Sequence, residues 1–341
     1  MKNLFIGIDF AKEKFDVALI HGSNVDAVKY HQFENTKKGC AALLKWVKEQ
    51  SGEPKSEWLF CGEHTGLYSV VLSEFLVKKE LFMWLENPLQ IKRSIGIKRE
   101  KNDKVDSREI ALYAYRFQDK SRAYQLPDKD LKDLDLLLSH RERLLKNKHA
   151  LQVSSNEIRA VLQRNSTARY IYEQSWQDIE RIDKEIKKIE DRMKSIIKSN
   201  ESLNETYEII TSLIGIALIN AATIIVATEN FTRFQNSRQF ACYAGMAPFG
   251  KQSGSALNRQ PHVSHLANKT IKKLLTQAVR CAIQHDMNMR HYYQRKLAEG
   301  KIEWVVINNL RNKFIHRMFA LVDNKQLYQV DYQWSENKNL A

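Results

Sequence analysis

Glycine and proline are scarce in this chain, 12 and 5 of 341 residues. At the usual frequencies of roughly 7% and 5%, about twice as many glycines and three times as many prolines are expected. The shortage excludes linker-rich and fibrous architectures and favours long, uninterrupted helices. Cysteine is rarer still. Cys40, Cys61, Cys242 and Cys281 lie far apart with no CxxC pair, which excludes a disulfide scaffold and a cysteine zinc site and leaves reduced thiols used for packing. Long apolar runs are missing as well. The longest, residues 214–227, contains Asn220 and falls short of the about 20 residues that cross a bilayer. The opening MKNLFIGIDF reaches Asp9 before a secretory apolar stretch can form. A cytoplasmic protein with no membrane anchor is expected. Negative charge is in short supply too, with 40 acids against 54 Lys and Arg, a net +14. An excess of this size points to a polyanionic partner without separating DNA, RNA and anionic lipid.

What is present divides into regimes. At roughly 150 residues per domain the length predicts two or three domains. The first ~120 residues alternate β-rich runs with helical patterns, the signature of an α/β domain. Residues 4–10 and 15–20 read as a strand pair joined by a tight AKEK connection. Further strands are predicted at 27–33, 58–61 and 81–85, with helices at 37–48, 68–78 and from Asn102 or Asp103 to Phe117. Pro127 marks a change. Beyond it Leu137, Leu144, Leu151 and Ile158 recur every seven residues, and Tyr172, Trp176, Ile179, Ile182, Ile186, Ile189, Met193 and Ile196 step 4-3-3-4-3-4-3. These seams predict two helices separated by QRNSTAR, forming an antiparallel hairpin or an oligomerisation coil. The C-terminal third is predicted to be predominantly α-helical, with a Gly/Ser-bearing loop after Tyr243, helices at 268–285 and 304–322, and a polar tail.

Four acids carry candidate chemistry. Asp9 and Glu63 end predicted strands, a place where an acid is ordinarily polar punctuation. Asp103 and Asp106 stand at i, i+3, on one face of a helix. Their plain alternatives are an N-cap for Asp103 and a solvated first-turn acid for Asp106. If the elements are neighbours, the four carboxylates can bind hard divalent cations such as Mg²⁺ and serve phosphoryl transfer. Lys92, Arg93, Lys98, Arg99, Lys101 and Lys104 cluster just before or within this segment and suit phosphate contacts. The segment 212–217 resembles a helix-hairpin-helix turn, with Ala217 where a second glycine is usual; a buried helix pair is the alternative. In the loop after Tyr243, serines lie among Lys251, Arg259, His262, His265 and Lys269. No GxSxG elbow supports acyl transfer, and the two histidines lack partners for zinc.

The ordered set GIDFAKEKFDVAL, FCGEHTGLYS, KNDKVDSREIALYA, ACYAGMAPFGKQSG and HVSHLANKTIKKLLTQA resembles the DEDD transposases of the insertion-sequence-110 type, relatives of the Piv-type DNA invertases. The resemblance covers nearly the whole chain. It implies a RuvC-like (RNase H-like) α/β domain over 1–122, an α-helical coiled-coil segment over 123–203, a predominantly α-helical, serine-bearing transposase domain over 204–325 with a helix-hairpin-helix-like start, and a tail over 326–341. The family's four acids fall on Asp9, Glu63, Asp103 and Asp106, and its nucleophilic serine on Ser253, with Ser255 as the alternative. Ala267 stands where the family usually has glycine. The resemblance further implies recombination of donor and target DNA through a phosphoserine link, Mg²⁺ (or Mn²⁺) at the acids, a non-coding bridge RNA as guide, and a homo-oligomer, dimer to tetramer.

Three other readings compete. A RuvC-like junction endonuclease would use a metal-activated water, leaving Ser253 structural. An ATPase of the actin and sugar-kinase type would need Gly-rich phosphate loops, which the glycine shortage denies. A non-enzymatic RNA-binding protein would rest on the coils alone.

Overall fold

The computed structural model describes residues 2–64, 66–94, 102–162, 165–253, 257–263 and 267–329, and the chain divides into two compact units at Leu126/Pro127.

The first unit is built on five strands, β1 (Leu4–Phe10), β2 (Lys14–His21), β3 (Asn24–Glu34), β4 (Trp58–Glu63) and β5 (Met83–Glu86). They lie in the order β3-β2-β1-β4-β5. The three consecutive strands pair antiparallel through short turns, whereas β4 joins β1, and β5 joins β4, in parallel. Helices α1 (Lys37–Gln50), α2 (Leu67–Lys78), α3 (Pro88–Ser94) and α4 (Asp103–Arg116) complete the unit. The two-residue period of a strand sends alternate side chains to opposite faces. Leu4, Ile6, Ile8 and Phe10 join the core that contains Leu43 and Val47 of α1 and Leu72 and Leu76 of α2. Phe5, Ala18, Ile20, Leu59, Cys61 and Trp84 pack instead with Ile110, Ala111 and Ala114 of α4.

The close seating of α4 depends on Gly7. A Cβ there would stand 2.2 Å from both the Ala111 nitrogen and the Ser107 oxygen, so only glycine lets the helix backbone lie on β1. Asn102 caps α4, its side chain accepting from the Val105 N–H at 2.8 Å. The capping role considered for Asp103 therefore belongs to its neighbour, and Asp103 and Asp106 both sit in the first turn. Helix α3 carries the first two residues of the basic cluster, Lys92 and Arg93; Pro88 occupies its first position, where a missing N–H costs nothing.

The second unit begins with α5 (Lys129–Ile158) and α6 (Ser166–Ser199). Arg141 pairs with Glu190 and Lys148 with Asp183, and Asn200 donates to Asp130. As one number rises the other falls, so the two run antiparallel as a hairpin. Burial is concentrated at its base, where Leu131, Leu134, Ile189, Met193 and Ile196 join the main core. Toward the tip Val153, Tyr170, Ile171 and Trp176 are exposed. The seam read from the sequence is thus closed from Ile179 onward and open at Trp176.

The remaining elements are α7 (Glu201–Thr211), α8 (Leu218–Thr228), α9 (Ser237–Tyr243), strands β6 (Pro248–Ser253) and β7 (Leu257–Val263), α10 (Lys269–His285), α11 (Met287–Ala298) and α12 (Glu303–Asp323). Two of these correct the sequence reading. The Gly/Ser-bearing loop is largely a β-hairpin, with β6 and β7 antiparallel, and the stretch after His285 holds a separate helix, α11. In the 212–217 turn, Gly215 takes φ +98°, and a Cβ on it would lie 2.3 Å from the Ala278 carbonyl of α10. That glycine serves helix packing. Among the described residues no helix is long and apolar enough to cross a membrane.

Candidate active site

Strand alternation and parallel register bring acids to one end and one face of the first unit's sheet. Phe5, Cys61 and Trp84 face α4, so Asp9, Glu63 and Glu86, an even number of residues further along their strands, lie on that same face. Glu63 and Glu86 are register partners at the carboxyl ends of the parallel strands β4 and β5. Asp9 stands near the end of β1, paired across the antiparallel ladder with Asp16 at the start of β2. The first turn of α4, held against β1 by Gly7, adds Asp103 and Asp106.

The electrostatics of Asp9 register this crowding. Its pKa is raised from 3.8 to about 6, first by burial and then by the charges of Asp106, Glu63, Asp103 and Asp16, in falling order. Desolvation and like charge both disfavour the carboxylate. The other three acids singled out in the sequence therefore all act on Asp9 in the fold, and Asp16 is a fifth that sequence reasoning missed. Asp16 is 2% exposed. It accepts hydrogen bonds from the Tyr30 hydroxyl and from Gln32 Nε2, the latter at 3.0 Å. Burial, followed by the bond to Asp16, pushes the Tyr30 phenol up to about 12. The signal for Asp16 was present: a tight AKEK turn between 4–10 and 15–20 sets Asp16 opposite Asp9. Glu86 was missed as well; it accepts from the Tyr113 hydroxyl at 3.2 Å.

Cations border the cluster. Lys14 Nζ lies 3.7 Å from Asp103, and the Lys104 ammonium sits 5.4 Å from the Tyr30 ring centroid. Lys92 and Arg93 are exposed on α3. Lys98, Arg99 and Lys101 lie outside the described residues. Among the described residues no three His, Cys, Asp or Glu side chains stand close enough together to hold a metal ion as they are placed. The donor set is nonetheless all carboxylate, which suits hard divalent ions such as Mg²⁺ or Mn²⁺ rather than thiophilic ones. The charge that raises the Asp9 pKa is charge a cation would offset.

Ser253 belongs to the second unit, as the last residue of β6 and the register partner of Leu257. Lys251 and Arg259 are partners two residues along the same hairpin, and Lys269 opens α10. Asn268 caps that helix by accepting from the Ile271 N–H at 3.1 Å. His262 is on β7. Ser255 and His265 lie outside the described residues.

Comparison with known proteins decides the family. The DEDD transposase model of the IS110 type matches residues 6–166, and a second, described as "Transposase IS116/IS110/IS902 family", matches residues 207–294. The chain belongs to the IS110 transposase family. Among curated relatives, the pilin gene-inverting protein of Moraxella bovis is 25% identical over 329 residues, covering 94% of this chain and 96% of the relative. The transposase for insertion sequence element IS1111A of Coxiella burnetii is 25% identical over 265 residues, 68% of this chain and 70% of the relative. An IS110 protein of Streptomyces coelicolor is 27% identical over 121 residues, 36% of this chain and 30% of the relative. As a family member the protein is an enzyme of the transposase and DNA-recombinase class with DNA as its substrate. The first IS110 match contains Asp9, Glu63, Asp103 and Asp106, and the second contains Ser253.

Proposed function

We propose that this transposase recombines DNA site-specifically through a phosphoserine link made by Ser253, with Mg²⁺ or Mn²⁺ held by Asp9, Glu63, Asp103 and Asp106. The observation that carries the reading is the raised pKa of Asp9, which reports three other family acids and Asp16 acting on a single half-buried carboxylate. The strand order β3-β2-β1-β4-β5, with three antiparallel strands followed by two parallel ones, supports a RuvC-like, RNase H-type first unit. The paired α5 and α6 helices support the reading of a coiled-coil segment.

In the reaction, the Ser253 Oγ forms a bond to phosphorus as the bond from phosphorus to the 3′ oxygen breaks. The electron pair leaves on that oxygen, which gains the proton lost by the serine. The strand is then joined to the protein by a phosphodiester, so bond energy is conserved. A 3′ hydroxyl from another strand reverses the step and releases the serine. A bound divalent ion would supply charge neutralisation at the scissile phosphate and the leaving oxygen. The acids hold that ion, while Lys251, Arg259 and Lys269, with Lys92, Arg93, Lys98, Arg99, Lys101 and Lys104 in the first unit, hold backbone phosphates. A non-coding bridge RNA selects donor and target, and the protein works as a dimer to tetramer.

The test incubates the full chain with Mg²⁺, DNA carrying the element's junction, and RNA transcribed from the non-coding DNA that flanks the gene. Wild type yields DNA covalently bound to protein; Ser253→Ala abolishes the adduct, and Asp106→Asn abolishes it without unfolding the chain. Cleaved ends free of protein, or adducts retained by Ser253→Ala, would instead establish attack by water or by another residue, Ser255 first.

A further inference from the structure

The second unit holds a cationic recess of about 440 Å³ between α10 and α12. Its α10 wall is a stripe at helical spacing. Lys269, Lys272, Thr276 and Arg280 recur at intervals of three and four residues, with Lys273 beside Lys272, opposite the buried face formed by Ile271, Leu275, Ala278, Val279 and Ala282. The α12 wall supplies Trp304 and Arg311, seven residues apart and so on the same side of that helix.

Five cations meet here with no carboxylate lining the recess. Among the described residues, none of the five has an ion-pair partner. Arg311 makes this costly, because it is only 5% exposed. Its Nη1 donates to Thr276 Oγ1 at 3.2 Å, and its Nε has no hydrogen-bond partner among the described residues. A buried guanidinium is ordinarily satisfied by an anion. Burial, with the charge of Arg311 second, also lowers the pKa of Lys272, the direction expected where cations crowd without a counter-charge. At the mouth, Trp304 is 59% exposed, with the Arg280 guanidinium 5.7 Å from its ring centroid. A large exposed indole beside unpaired cations is the combination that binds a single strand, since every base has a face to stack and every phosphate a charge.

We propose that this recess grips an unpaired nucleic-acid strand, a backbone phosphate seated among Lys272, Arg280 and Arg311 and a base stacked on Trp304. It rests on the recombination reading only for the source of its ligand, since strand exchange generates unpaired segments. DNA and RNA share the chemistry, and the two arms of the test separate them.

The full chain is titrated in EDTA, where no cleavage occurs, with labelled 15-mers of deoxythymidine and of uridine and with a 15-base-pair duplex, using fluorescence anisotropy. Trp304→Ala is expected to weaken one or both single strands at least five-fold, the range that loss of one stacked base implies, while duplex affinity changes less than two-fold. Trp304→Phe should restore most of the loss, which separates stacking from misfolding. The Lys272→Gln, Arg280→Gln double variant should lower the slope of log affinity against log salt by about 1.4 for single strands, two phosphate contacts at roughly 0.7 each. Unchanged single-strand affinity in Trp304→Ala, or equal losses on single strand and duplex, would overturn the proposal. These titrations stand apart from the adduct assay: absence of a phosphoserine leaves them readable, and their failure leaves Ser253 untouched.

Discussion

Asp9 and Asp16 face each other directly across the antiparallel β1–β2 pair, one poised at a pKa of about 6, the other held by Tyr30 and Gln32. Like charges opposite one another in a ladder are destabilising. Their retention at the sheet end marks a site built for charge binding at the expense of stability.

That expense has a definite pH dependence. Because the folded-state pKa of Asp9 is raised above 3.8, the folded protein holds this proton more tightly than the unfolded chain. The contribution to stability is therefore present below about pH 4, declines as pH rises toward about 6, and above that is a full penalty. Asp9→Asn should raise the stability of the metal-free protein at pH 7.5 by about 1–2 kcal/mol, allowing for partial solvent screening. Thermal melts at pH 7.5 and pH 3.5 check this. The variant should melt higher at the first and match wild type at the second.

Tyr30→Phe removes the hydroxyl that donates to Asp16 and leaves Gln32 as the remaining donor found in the structure. A hydrogen bond to a buried charge contributes about 1.5–3 kcal/mol. Urea denaturation should show a loss in that range at pH 7, and a loss below about 0.5 kcal/mol would mean that the Tyr30 hydroxyl does not hold Asp16.

Gly7→Ala places a methyl group 2.2 Å from two backbone atoms of α4. The helix must shift, taking Asp103 and Asp106 with it. A destabilisation of about 1–3 kcal/mol is expected from overpacking, together with loss of Mg²⁺-dependent strand cleavage in protein that still folds. Circular dichroism and the adduct assay, run on the same preparation, separate the two effects.

The α5–α6 hairpin is held by its apolar base more than by its ion pairs. Met193→Ala, at a fully buried position, should cost about 2–5 kcal/mol. Lys148→Ala removes an ion pair with a half-exposed Asp183 and should cost less than about 1 kcal/mol. Chemical denaturation of both variants decides whether the ordering holds.

Much of the first unit is legible in its sequence, since strands with alternating burial and helices with apolar stripes announce themselves; β1 matches its expected span. The four acids are visible as residue types at strand ends and a helix start. Asp16 becomes visible only when the register across the AKEK turn is counted out, and Glu86 is not visible at all, because its place depends on which strands become neighbours, a long-range property. The β6–β7 hairpin escapes because FGKQS and NRQPH lack the alternation of a half-buried strand and carry glycine and proline. Helix α3 escapes because seven residues after a proline are too few to show a period.

Uneven burial along the α5–α6 hairpin makes it a zipper that opens from one end. Its 30- and 34-residue arms extend about 45–50 Å at 1.5 Å per residue, and the apolar lock is at the base. Amide exchange should therefore be slow around Met193 and accelerate progressively toward Tyr170. The far end can unwind and re-form without disturbing the core to which the base is anchored.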